Sequence, residues 1–149
     1  TMIKSFTRAG YSYGGGGGTG TQITTSGVIL ALTKDTTNSP ESNTVPNYAN
    51  LRTLEVEIDT IAASAAEVTM FLARDSVGNI PITPGKTSGA TQTIQPGEGD
   101  ATEGGVVFNL DTDYHFDSGA ANVTSGTLYA VLFTDTGTLD AKVRLTWRA

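Results

Sequence analysis

The chain has 149 residues, of which 38% are hydrophobic and only 16% charged, and its net charge is −6. A chain of this length is sufficient for one domain with its own hydrophobic core. The acidic balance argues against a nucleic-acid partner, because phosphate binding requires clustered Lys and Arg. The absence of cysteine from the sequence excludes disulfides and thiolate metal sites.

The first residues carry no visible targeting signal. Residues 1–10, TMIKSFTRAG, lack the apolar core of a signal peptide. No segment approaches the ~20 apolar residues that span a bilayer. We therefore expect synthesis in a cytoplasm and no membrane partner.

Five consecutive glycines, at residues 14–18, follow two tyrosines spaced two apart. Each glycine would cost about 0.5–1 kcal/mol relative to Ala inside a helix or strand. The run is therefore expected to be a flexible joint. The sequence predicts an N-terminal arm with its Gly-rich joint over residues 1–20 and a single domain over residues 21–149.

The predicted arm carries three aromatic residues, Phe6, Tyr11 and Tyr13. Buried aromatic side chains dominate the energetics of protein interfaces, so these three are the candidate partner-binding residues. An equally good alternative is that Tyr11 and Tyr13 belong to the first edge strand of the domain's own sheet.

The rest of the chain alternates β-patterned runs with turn-rich loops. The predicted strands cover residues 22–33, 51–61, 67–75, 80–83, 91–95, 106–117, 126–134 and 141–149. In residues 51–61 the alternation is clean, with Leu54, Val56 and Ile58 on one face and acidic residues on the other. Residues 67–75 are apolar on both faces, which is typical of a central strand.

The last two runs are expected to form a hairpin, because they are close in sequence and both alternate. Within the final run, Val143, Leu145 and Trp147 are predicted to face the core. The intervening residues are predicted to face solvent: Lys142, Arg144, Thr146 and Arg148.

About 7–9 short strands with turn signals between them, and no clear helix, predict an all-β fold. We expect an antiparallel β-sandwich of jelly-roll-like topology, with the Gly-rich arm at its N-terminus.

No motif in the sequence specifies a catalytic reaction. His115 is the only histidine, and it lies in DTDYHFDSG among Asp111, Asp113 and Asp117. No G-x-S-x-G nucleophile elbow occurs in the chain. A lone histidine near a strand end is more often a surface residue than a base, so no catalytic residue is predicted.

Two acidic segments could supply oxygen ligands to calcium: residues 97–105, and the group Asp111, Asp113 and Asp117. Neither matches the D-x-[DN]-x-[DN]-G pattern of a calcium loop. Both are expected to be solvated, so neither a metal nor another cofactor is predicted.

The overall character of the chain resembles the capsid decoration, or cement, proteins of tailed bacteriophages. That character is a small, acidic, cysteine-free β-sandwich, rich in Thr, Gly and Ala, joined through GYSYGGGGGTG to an arm. The resemblance implies a structural virion protein that binds the outer capsid surface and reinforces it. It further implies a homo-oligomer, with a trimer favoured, whose partner is the major capsid protein or another virion protein.

A second function class stays open at this point. The chain could be a carbohydrate- or receptor-binding β module, such as a fibre or spike subunit. Carbohydrate-binding sandwiches stack exposed aromatic side chains on their ligand, yet aromatic residues make up only 7% of this sequence. Glycoside hydrolysis by a pair of carboxylates ranks third.

Overall fold

The computed structural model describes residues 9–14, 21–32, 44–62, 67–83, 90–93, 95–97 and 100–149. Within these ranges the structure has eleven β-strands and no helix. The strands are β1 (Ala9–Gly14), β2 (Thr21–Ile23), β3 (Val28–Leu32), β4 (Tyr48–Ala62), β5 (Glu67–Ala73), β6 (Pro81–Thr83), β7 (Ala90–Thr93), β8 (Gln95–Gly97), β9 (Asp100–His115), β10 (Leu128–Thr134) and β11 (Thr138–Arg148). Nothing in this part of the chain is a helix that could cross a membrane.

The strands form two antiparallel sheets. Sheet A has the order β1-β11-β4-β9-β8, and β2 also pairs with β11; sheet B has the order β3-β10-β5-β6, and β7 also pairs with β5. The all-β sandwich predicted from the sequence is confirmed. The sequence predicted about 7–9 strands, and the described residues hold eleven, of which four have only three or four residues.

The strand pairings are nested along the chain, as a jelly roll requires. The first strand pairs with the last (β1 with β11), and further inward β3 pairs with β10, β4 with β9, and β5 with β6. Successive pairs alternate between sheet A and sheet B. The chain is thus one long antiparallel hairpin rolled up into two layers.

The main core lies between the sheets and follows the period-two pattern. Leu54, Val56 and Ile58 of β4 are at most 2% exposed, and Val143 and Leu145 of β11 are fully buried. These burials confirm the faces predicted for both segments. Trp147 is also buried, as predicted, and Arg148 beside it is exposed.

The strand predicted over residues 22–33 is wrong in one respect, because it is two strands in different sheets. A turn at residues 24–27, closed by the Gly27 N–H donating to the Thr24 carbonyl (3.1 Å), separates β2 from β3. Gly27 has φ +93°, a conformation that L side chains rarely adopt. The backbone therefore leaves sheet A and enters sheet B at this glycine.

The predicted C-terminal hairpin is also wrong. β10 pairs with β3 and β5 in sheet B, whereas β11 pairs with β1, β2 and β4 in sheet A. The short connection between them, in which Gly137 has φ +67°, crosses from one layer to the other. Side chains point alternately to the two faces of each strand, and each strand buries one face against the opposite sheet.

Residues 9–14 lie in the domain's own sheet, which is the alternative that the sequence left open. Tyr11 is in register with Thr146, and Tyr13 with Arg144. Gly14, the first glycine of the predicted joint at residues 14–18, is the last residue of β1, whereas Phe6 and residues 15–18 lie outside the described residues. A partner contact made by the N-terminal segment stays a prediction.

Candidate functional site

Two surface regions stand out, one on the outer face of each sheet. The first, called here the sheet A cleft, lies where β4, β9 and β11 run side by side near the C-terminus. It has a volume of about 420 Å³. Its lining residues are Tyr48, Ala49, Asn50, Asp113, Tyr114, His115, Arg148 and Ala149.

An aromatic pair forms one part of the cleft. Tyr48 and His115 are directly opposite each other on β4 and β9. Their ring centroids are 4.7 Å apart and the ring planes are inclined by 52°. Tyr48 is 69% exposed, which is unusual for so large a ring. Since His115 is at the surface, the structure agrees with the exposed location expected for it.

A row of polar residues crosses the sheet beside this pair. Asn50 of β4 is in register with Arg148 of β11 on one side and with Asp113 of β9 on the other. The Asn50 Nδ2 donates to Asp113 Oδ1 (2.9 Å), and its Oδ1 accepts from Arg52 Nη1 (3.1 Å). Both ends of the amide are thereby held, which fixes its orientation.

A β-bulge shapes the edge of the cleft. Between Leu51 and Thr53 the β4–β9 register shifts by one residue, and Asp111 adopts φ 42° there. Bulges re-aim side chains out of the regular pleat. Here the Asp111 carboxylate accepts from Asn50 Nδ2 (3.3 Å) and lies 3.7 Å from Arg52 Nη1.

Beneath the cleft, Tyr114 anchors the end of β9 in the core. It is 4% exposed, and the Arg74 guanidinium carbon lies 5.1 Å from the centroid of its ring. Arg74 also donates to the His115 carbonyl. Burial raises the pKa of the Tyr114 hydroxyl above its ordinary value of 10.0, and the positive charge of Arg74 offsets part of that rise.

Among the described acidic residues, Asp111, Asp113 and Asp117 are not gathered into one site. Asp111 and Asp113 share the Asn50 amide, whereas Asp117 accepts from the N–H of Gly119 (2.9 Å) in a local turn. In the described part of the chain no three His, Asp or Glu side chains are placed to hold a metal ion. The side chains of residues 97–104 lie outside the described residues.

The second region, the outer apolar surface, lies on the opposite side of the sandwich. It consists of the exposed residues Ile29 and Val77, the half-buried Phe133, and Phe71 and Val131, which are themselves buried beneath them at 8% and 6% exposure. Val131 is in register with both Ile29 and Phe71 across three strands of sheet B, and the rings of Phe71 and Phe133 have centroids 6.4 Å apart. This cluster is separate from the main core.

The outer apolar surface is partly covered by a loop. Gly78 passes over the strands, so that an added Cβ would lie 3.4 Å from Val131 Cγ2. The loop is held by the buried carboxylate of Asp75, which accepts from the N–H groups of Asn79 (2.9 Å) and Ile80 (2.7 Å). Ile29 and Val77 still remain 41% and 51% exposed.

Sequence reasoning located His115, Asp111 and Asp113 but missed the other main residues of both regions. Tyr48 and Asn50 lie just before the strand predicted over residues 51–61, whereas in the structure β4 begins at Tyr48. The apolar character of both faces of residues 67–75 was a usable signal, since a strand covered on one face only would alternate.

Comparisons with known proteins found similarity among solved structures only. No family model matches the chain, and no curated protein matches it. A chain of the solved structure "Cyanophage Pam1 capsid asymmetric unit" matches with a TM-score of 0.42 and 13% sequence identity, over 99% of this chain and 90% of that chain. At this level of similarity the match gives no basis for assigning a function.

Proposed function

We propose that this chain is a structural virion protein that binds the outer surface of a capsid and reinforces it, in the manner of a decoration protein. The outer apolar surface carries this proposal. Antiparallel sheets that meet solvent usually present polar residues on their outer face, whereas the outer face of sheet B holds the apolar cluster of Phe71, Val131 and Phe133 beside the exposed Ile29 and Val77. Exposed apolar residues gathered in one patch are typical of a protein–protein contact.

The partner that fits this surface is another virion protein, foremost the major capsid protein. An acidic chain of net charge −6 is steered towards a basic protein surface, and the apolar patch then supplies the affinity. The resemblance to decoration proteins adds a homo-oligomer, with a trimer favoured. The role is non-catalytic and located on the virion.

The N-terminal segment is the second proposed contact. Phe6, Tyr11 and Tyr13 are its anchors. Because the backbone of Tyr11 and Tyr13 lies in an edge strand of sheet A, any contact they make would be made from a fixed strand. Phe6 would then act from the stretch that precedes β1.

The test is co-sedimentation with capsids of the virus that encodes the chain. The Ile29→Asp/Val77→Asp double variant should stay folded, because both side chains are exposed. It should bind capsids more than about tenfold more weakly, because a carboxylate buried in an apolar contact is strongly penalised. Val107→Asp is the matched control, since Val107 is 50% exposed but lies on sheet A.

Equal binding of the double variant and the control would refute the proposed docking face. Sedimentation of the isolated chain tests the oligomer separately. A trimer supports the proposal, and a strict monomer at high concentration contradicts its oligomeric part.

A further inference from the structure

The sheet A cleft has a feature that the structural role does not use, which is its exposed aromatic pair. Tyr48 is 69% exposed and lies against His115 at 4.7 Å between ring centroids. An aromatic ring open to solvent offers a flat apolar face to a ligand. A pyranose ring has a matching face of C–H groups, so the two can pack by dispersion.

The polar row beside the rings supplies complementary hydrogen-bonding groups. Arg148 offers only donors and Asp113 only acceptors, and Asn50 between them can accept a further hydrogen bond through its amide oxygen, because its N–H groups already donate to Asp111 and Asp113. Asn50 is already fixed by its bonds to Asp113 and Arg52, so little side-chain entropy is lost when a ligand contacts this row. Sugar hydroxyls both donate and accept, and therefore suit such a mixed row.

The charges of the cleft indicate which saccharides fit. Arg148 and Asp113 flank Asn50 with opposite charges, and Arg52 is paired with Asp111 at 3.7 Å. These charges balance locally, so the cleft does not select an anion. The net charge of −6 on the whole chain further disfavours a phosphate or an acidic sugar.

The size of the cleft is also suitable. Its volume of about 420 Å³ belongs to an open depression rather than to an enclosed pocket, which leaves room for a sugar ring to pack on the exposed face of Tyr48. From these observations we propose that the sheet A cleft binds a neutral saccharide, with Tyr48 as the stacking residue and Asn50, Asp113 and Arg148 as its hydrogen-bonding partners. This site is independent of the capsid-binding role, since it lies on the opposite sheet.

The experiment uses the full chain labelled with ¹⁵N and titrated with neutral oligosaccharides, namely maltohexaose, cellohexaose, xylohexaose and mannohexaose. Saturation-transfer NMR detects binding, and amide shifts locate it. At least one of these probes should bind and shift the amides of residues 48–50 and 113–115. Tyr48→Ala should weaken that binding by about tenfold, because the stacking contact is lost.

Three variants complete the design. Tyr48→Phe keeps the ring and should bind about as well as the native chain. Asp113→Ala should bind more weakly, whereas Val107→Ala, on the same sheet but outside the cleft, should bind normally. Each variant is checked for native amide dispersion, and Tyr48→Ala should still attach to capsids.

Two results would overturn the proposal. The first is that none of the four oligosaccharides shifts the cleft amides at millimolar concentration. The second is that a probe binds equally well to the native chain and to Tyr48→Ala. Because capsid attachment is scored in parallel, failure of the saccharide site is distinguishable from failure of the structural role.

Discussion

At the scale of single residues, two buried polar side chains, Asp75 and Tyr114, lie beside the two surface regions: Asp75 holds the loop at the outer apolar surface, and Tyr114 lies beneath the sheet A cleft. Asp75 is 1% exposed, and its carboxylate accepts two backbone N–H groups of the following loop. A buried carboxylate is tolerated only when it is hydrogen-bonded in this way. The consequence for function is that Val77, in that loop, is presented at the edge of the outer apolar surface.

Tyr114 is the second such group, and its ionisation links stability to pH. Burial raises the pKa of its hydroxyl above 10.0, with an opposing effect of Arg74. The folded state therefore holds the proton more tightly than the unfolded state. Its stabilising contribution is fully present below the unfolded pKa and is lost as pH rises through the folded pKa.

We therefore expect the melting temperature to fall as the pH is raised above 10.0, and to fall less steeply in Tyr114→Phe, which has no phenolic proton. The measurement is thermal denaturation by circular dichroism at a series of alkaline pH values. Lysines and the other tyrosines titrate in both proteins, so the difference between the two curves isolates Tyr114. Parallel curves would show that this residue is not responsible.

At the scale of elements, the β2–β3 turn determines where the chain changes sheet. Gly27 has φ +93°, and a Cβ placed on it would overlap Cε1 of the Phe133 ring. Gly27→Ala should therefore destabilise the protein by about 1–3 kcal/mol through backbone strain, and by more if Phe133 cannot move aside. Urea unfolding measures the change.

Gly78→Ala is the matched control for this substitution. Gly78 also has a positive φ, +75°, but its added Cβ would meet its nearest neighbour at the ordinary distance of 3.4 Å. It should therefore show the backbone strain without the clash. If Gly27→Ala and Gly78→Ala cost the same free energy, the close contact with Phe133 is not a determinant of stability.

The elements also show what the sequence could and could not predict. Period-two alternation gave the buried faces of β4 and β11 correctly, because each strand has one face on the core. The crossing between β10 and β11 was not predicted, since a short turn between two alternating strands fits a hairpin and a change of layer equally well. Residues 22–33 have the pattern of one continuous strand. In the structure the chain changes from sheet A to sheet B within them, at Gly27, where φ is positive.

The sheet A cleft could not be predicted for a different reason. Tyr48 and His115 are far apart in sequence and meet only because β4 and β9 pair in a particular register. The bulge at Asp111 then sets which side chains share that surface. Sequence patterns assign faces to a strand, but they do not give the register between two distant strands.

At the scale of the whole molecule, the two outer faces of the sandwich differ in character. The outer face of sheet A carries polar and charged side chains, among them the Arg144–Glu55 pair, in which Arg144 Nε donates to Glu55 Oε2 (3.0 Å). The outer face of sheet B carries the apolar cluster of Phe71, Val131 and Phe133, with a Thr69–Thr91 hydrogen bond (2.8 Å) beside it. If sheet B docks on a capsid as proposed, the sheet A cleft points away from it, and both proposed sites can be occupied together.

The last prediction concerns the N-terminus, where β1 forms an edge of sheet A. Deleting residues 1–8 leaves β1 paired with β11, so the domain should fold with nearly native stability. Deleting residues 1–14 removes β1 and leaves that edge of β11 without these partners, which should lower stability clearly.

The measurements are urea unfolding and capsid co-sedimentation of both truncated chains beside the full chain. Weaker attachment of the folded 1–8 deletion would support a contact made through Phe6. Native attachment of that form would rule this contact out, and native stability of the 1–14 deletion would contradict a structural role for β1.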